Sequence, residues 1–318
     1  CCMTRRGFVS APEDFVPKNI SARAKAYYEN ASGVVVPPDL QDAQALAEFR
    51  QSLDDLGQPN VDAIPFPYSA DDGAVGGVSV LRIRPQEVDD SKRILIHLHG
   101  GGYIVGSPRG NASIPIQIAH LARTEVLSID YRLAPEHPFP AGLDDILTVY
   151  RALLDDYAPQ HVGVFGESAG GGLAAAMALA LRDAGEPVPG ALVLVAPFAD
   201  LTGSGESVTL NDGYDPDLDW GSLGPGGVAY AGDHELRAPL VSPVFAEFSG
   251  IAPMLIQAGS REILLSDAER LADAAQRAGN EVELQVWDGL WHCFHFDPGL
   301  PEALDACTKI ADFLRRHL

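Results

Sequence analysis

Basic residues are scarce in this chain. Lys and Arg together number 22 in 318 residues, against 44 Asp and Glu, which leaves a formal net charge of −22. A surface with that balance repels phosphate backbones and anionic headgroups, so nucleic acid and membrane are excluded as expected partners. Long apolar runs are missing too. None approaches the roughly 20 residues that span a bilayer. The first thirty residues also lack a short apolar core with basic flanks and a cleavage site, so the expected location is cytoplasmic. Cysteine is sparse at four. Cys1 and Cys2 stand side by side ahead of Met3, and Cys293 and Cys307 form neither a disulfide framework nor a zinc-ligand spacing. Neither internal repeats nor low-complexity tracts occur. What remains, 46% hydrophobic and 21% charged, is the composition of a chain that buries a large core.

Two helices are predicted near 18 to 31 and 39 to 56, parted by Pro37 and Pro38. From about residue 78 short apolar runs bounded by turn residues take over: 78 to 84, 93 to 99, 125 to 130, 161 to 166, 191 to 196, 253 to 259 and 282 to 287. Helical segments are predicted between and after them, near 112 to 122, 142 to 156, 169 to 184, 266 to 278 and 301 to 317. Buried strands alternating with helices give an α/β fold, because parallel neighbours need a crossover helix between them. Residues 201 to 245, rich in Gly, Pro and Asp, interrupt that rhythm. Together with residues 1 to 60 they are assigned to a cap over a catalytic domain of residues 61 to 318.

The strongest chemical signal is GESAG at 166 to 170, between the run ending at Phe165 and an alanine-rich helix. This is the strand, sharp turn and helix that a nucleophile elbow requires, with Ser168 as nucleophile. Its glycines are needed because strand and helix backbones come too close for side chains. Upstream, His99 to Gly102 reads HGGG directly after a strand. Gly100, Gly101 and Gly102 are candidate oxyanion donors together with the N–H of Ala169, although the spacing does not say which two glycines donate.

A triad in this strand order runs serine, acid, histidine. Four histidines follow Ser168, namely His234, His292, His295 and His317. His292, in the loop after the last strand, is the general base, with His295 in reserve. Three carboxylates could serve as the acid. Glu262 comes soonest after its strand end, Asp267 has the position of a helix cap or first-turn residue, and Asp200 follows an earlier strand.

HGGG at 99 to 102, YRLAPEHPFPA at 131 to 141, GESAG, the block at 238 to 243 and the histidine loop at 289 to 294 together resemble the hormone-sensitive-lipase-like esterases, the bacterial family IV carboxylesterases. The resemblance implies the α/β-hydrolase fold: a mostly parallel eight-stranded sheet flanked by helices, with a helical cap. It implies hydrolysis of short to medium acyl esters without metal or organic cofactor. It places nucleophile and base on Ser168 and His292 and the acid on Glu262, and the glycine donors within Gly100 to Gly102. Two departures stand out. Glu167 occupies a position commonly held by Asp or Thr, which alters hydrogen bonding behind the turn, and Glu262 replaces the aspartate of the family's D-P-L-x-D motif.

Other signals are discounted. GPGGVA at 224 to 229 matches a dinucleotide fingerprint by letters, but follows no strand and contains Pro225, so it is read as a cap loop. His97 and His99 share a strand face without a third ligand and are read as core packing beneath the oxyanion loop. Glu136 and His137 belong to a structural turn. A lactonase, and a binding protein that has kept the fold without the chemistry, are the alternatives. The partner is a small-molecule ester, and a homodimer is the candidate assembly.

Overall fold

The computed structural model describes residues 5–6, 12, 14–89 and 92–318. Cys1 and Cys2 lie outside that set. Eight strands form one sheet: β1 (Tyr68–Val75), β2 (Val78–Pro85), β3 (Ile94–Leu98), β4 (Val126–Ile129), β5 (Val162–Glu167), β6 (Ala191–Val195), β7 (Met254–Gly259) and β8 (Val282–Trp287). Their order across the sheet is β8-β7-β6-β5-β3-β4-β2-β1. Only the β1–β2 and β2–β4 pairs are antiparallel.

The seven apolar runs became β2 to β8. The interior strands β3, β5, β6 and β7 are buried at every position, as expected of parallel strands covered on both faces. β1, YSADDGAV, gives no such run. It is an edge strand with a single neighbour and five exposed residues, so its sequence is polar.

The helices are α1 (Ala22–Asn30), α2 (Ala43–Asp62), α3 (Ser113–Ala122), α4 (Ala141–Leu153), α5 (Ala169–Asp183), α6 (Ser207–Leu210), α7 (Trp220–Ala231), α8 (Leu265–Arg277) and α9 (Pro301–His317). One core lies between the sheet and α4, α5 and α8, and a second beneath α3 and α9. α5 follows Ser168. Twelve of its fifteen residues are buried, and eight of those are Ala or Gly, which lets it press close to the sheet.

Two elements depart from the sequence reading. α2 continues past residue 56 to Asp62, through Pro59, so a domain boundary at residue 60 falls inside a helix. The GPGGVA segment is not a loop but the body of α7, started by Asp219, whose side chain accepts the Ser222 N–H at 2.7 Å. Its glycines serve packing. A Cβ on Gly226 would stand 2.5 Å from the carbonyl oxygen of Gly102, so the helix rests directly on the glycine loop.

Candidate active site

Four chain segments reach one place because β3, β5, β7 and β8 run in parallel and end at the same edge of the sheet. β5 delivers the turn at residues 166 to 170. Ser168 sits there with φ 55° and ψ −119°, a strained backbone that holds its side chain at the N-terminus of α5. A Cβ on Gly170 would lie 1.8 Å from the Leu98 carbonyl oxygen, and one on Gly166 2.5 Å from the Gly170 carbonyl. The glycines are therefore a steric necessity.

Behind the turn, the fully buried Glu167 carboxylate joins three segments. Its Oε1 accepts the Gly100 N–H at 2.7 Å and Asn111 Nδ2 at 3.0 Å, and its Oε2 accepts from His97 Nε2 at 2.8 Å. His97 Nδ1 in turn meets the Ser128 hydroxyl at 2.7 Å. This corrects one expectation: the Gly100 N–H is spent on Glu167 and is withdrawn from the oxyanion set. Gly101 and Gly102 donate to no acceptor among the described residues, and both line the same cavity as Ser168. His97 and His99 serve the support role read from the sequence. His99 bonds the Gly100 carbonyl at 2.8 Å and stacks on Tyr131, and burial pulls its imidazole down to about 4.

β7 leads to Glu262 and β8 to His292. Glu262 is fully buried, with Oε1 accepting the Gly259 N–H at 2.7 Å and Oε2 accepting His292 Nδ1 at 2.6 Å. Burial alone would lower the His292 imidazole. Cys293 and the Glu262 carboxylate outweigh it and raise the imidazole well above its ordinary value. With Nδ1 donating to Glu262, Nε2 is left as the acceptor, and it meets the Cys293 thiol at 3.4 Å. The Ser168 hydroxyl has no hydrogen-bond partner among the described residues. Ser168 and His292 line one cavity of about 870 Å³, whose walls include Tyr27 of α1, Phe49 and Leu53 of α2, and Leu218 and Leu223 of the insert.

Comparison with known proteins agrees with this fold. A family model described as alpha/beta hydrolase fold matches residues 95–296. An acetyl-hydrolase of Streptomyces hygroscopicus is 37% identical over 268 residues, covering 84% of this chain and 86% of that protein. A solved esterase of the bacterial hormone-sensitive lipase family is also 37% identical, with TM-score 0.81 over 86% of this chain and 91% of its own. The chain belongs to this α/β-hydrolase family of hormone-sensitive-lipase-like esterases. Another esterase structure, 30% identical, extends the likeness to 98% of both chains with TM-score 0.88.

Within the family frame, the reserve residues are engaged elsewhere. Asp267 accepts the N–H groups of Ala199 and Asp200, each at 2.8 Å, and burial pushes its carboxyl up to about 7. Asp200 is bonded to Thr202, Ser204 and Arg270. His295 is buried against Gln257, and burial pulls it down to about 3. His234 meets Phe139 edge-to-face, and His317 faces Glu281. Glu136 forms a bidentate pair with Arg50, at 2.8 Å for each contact. Arg50 also donates to the carbonyls of Ile104 and Ala134, tying α2 to the loop beyond the glycines.

Three residues that touch this site escaped the sequence reading: Asn111, Cys293 and Asp215, whose Oδ2 accepts the His292 N–H at 3.3 Å. Cys293 adjoins the histidine and could have been noticed. Nothing in the linear order marks the other two, whose roles depend on chain reversals. Among the described residues, no helix is long and apolar enough to cross a membrane.

Proposed function

We propose that this esterase-family member hydrolyses carboxylic esters of short to medium acyl length through a Ser168–His292–Glu262 triad. The observation that carries the reading is the 2.6 Å bond from His292 Nδ1 to the buried Glu262 carboxylate, in a cavity shared with Ser168 and unpaired glycine N–H groups. Glu262 fixes the tautomer and stabilises the imidazolium, so Nε2 is the basic nitrogen. As the Ser168 hydroxyl turns toward it, His292 takes the proton while the serine oxygen attacks the ester carbonyl. The carbonyl oxygen becomes an anion received by the N–H groups of Gly101, Gly102 and Ala169. The last of these is a first-turn helix donor with no acceptor inside its helix. Collapse expels the alcohol with the proton from His292 and leaves an acyl-serine. His292 then deprotonates water, and the same steps release the acid and restore the hydroxyl.

The helices of residues 1 to 60 and the insert act as a cap in this reading, setting the room for the acyl and alcohol groups. The test is Ser168→Ala with p-nitrophenyl butyrate. Turnover should fall by about 10⁴-fold or more, with circular dichroism unchanged and fluorophosphonate labelling lost. Turnover near wild-type in that variant would overturn the assignment.

A further inference from the structure

The insert lines the cavity and also bonds to the loops that carry Glu262 and His292. Asp215, only 1% exposed, accepts the N–H groups of Asp217 at 2.9 Å and Leu218 at 3.2 Å through Oδ1. Its other oxygen, Oδ2, accepts the backbone N–H of His292 at 3.3 Å. The same stretch grips the acid's loop. Asn211 Nδ2 donates to the carbonyls of Ser260 at 3.1 Å and Glu262 at 2.8 Å, and the Arg261 guanidinium lies 4.6 Å over the Tyr214 ring. One short segment thus holds both loops whose side chains make the acid–histidine pair.

A buried carboxylate is costly to place. Burial pushes the Asp215 carboxyl up to about 8, against the pull of nearby His292. A hydroxyl would cap the turn at 217 and 218 at lower cost, so the second oxygen is the feature to explain. The peptide it holds lies in an irregular loop, between Gly289 at φ 73° and Cys293 at φ 52°. Neither helix nor strand hydrogen bonding orients the His292 backbone.

We propose that Asp215 is a positioning residue for the general base: from the insert it anchors the His292 peptide and so aims the imidazole from Glu262 toward Ser168. The inference rests on the esterase reading above. Asp215 touches no substrate and acts only through the histidine's main chain.

Asp215→Asn isolates the bridge. Its one carbonyl oxygen satisfies the two turn donors, which leaves the amide NH₂ facing the His292 N–H, donor against donor. The turn is kept and the anchor is lost. With p-nitrophenyl butyrate, kcat should fall about 10- to 100-fold, while KM stays within about threefold, because acylation and deacylation use the same base. The rate constant for Ser168 labelling by a saturating fluorophosphonate should fall in parallel. Asp215→Ser, which caps the turn but is too short to reach His292, should show the same split and serves if the Asn variant does not fold. An unreduced kcat in a folded variant, or a raised KM at wild-type kcat, overturns the proposal and leaves the esterase reading standing. A wild-type chain without turnover overturns both.

Discussion

Glu262 and Asp267 lie five residues apart, one in the turn after β7 and the other in the first turn of α8, and both side chains are buried, yet their surroundings assign them different work. Glu262 spends one oxygen on its own turn and the other on His292, whereas Asp267 spends Oδ2 on two backbone N–H groups of the β6 loop. Glu262→Gln should therefore cut kcat by about 10³- to 10⁴-fold, as the amide favours the wrong tautomer. Asp267→Asn should leave kcat close to wild-type and lower stability by about 1 to 3 kcal/mol, as two buried N–H donors exchange a carboxyl oxygen for a weaker amide acceptor. Kinetics and urea melts of the two variants check the ranking. Glu167 teaches a related lesson. The sequence showed an unusual residue before the nucleophile, but not that its carboxylate would take the Gly100 N–H out of the oxyanion set.

At the scale of elements, the contact of α7 with the glycine loop couples the insert to the candidate oxyanion donors. Gly226→Ala would force a methyl group to 2.5 Å from the Gly102 carbonyl oxygen. Helix and loop must then part, at a cost of about 1 to 3 kcal/mol typical of overpacking. The expected result is a lowered thermal midpoint together with a kcat loss exceeding that of an alanine substitution at exposed Val228 on the same helix. Equal kinetics for the two variants would uncouple α7 from the loop. The glycines that make this packing possible, together with the exposed Pro225, also hid the helix from sequence reading, since both residue types ordinarily break helices. β1 was missed for another reason: with a single strand neighbour, it shows no apolar run.

Two expectations belong to the molecule as a whole. The first follows from the raised His292 imidazole. A base is active only when neutral, and a raised value means protonation begins at higher pH, so kcat/KM should fall on the acid side with a midpoint above 6.5, the ordinary histidine value. Glu262→Gln removes the anion that favours the imidazolium and should move that midpoint down, read in whatever activity the variant retains. The second concerns the net charge of −22. Asp54, Asp217 and Glu167 line the cavity, and its Arg23 is paired with Asp297. Anionic esters such as a hemisuccinate should therefore react more slowly than neutral esters of equal length. Their kcat/KM should rise with salt as screening grows, while that of the neutral esters stays flat. A salt response that is the same for both classes would remove the field from the account.

The linear sequence alone determined the alternation of buried strands and helices, the sharp turn at Ser168 and the glycine loop. Each of these is local: a run of apolar residues, or a turn whose glycines stand within five positions of one another. It also placed His292 and ranked Glu262 first among three acids, from chain order and the resemblance. Tertiary structure decided which carboxylate faces the imidazole, which glycine N–H groups are left unspent, and that Asp215 and Asn211 reach across from the insert to the acid and histidine loops. The physical reason is that a hydrogen bond depends on distances of about 3 Å. Partners separated by 77 positions, as Asp215 and His292 are, come that close only once the parallel strands bring their ends together.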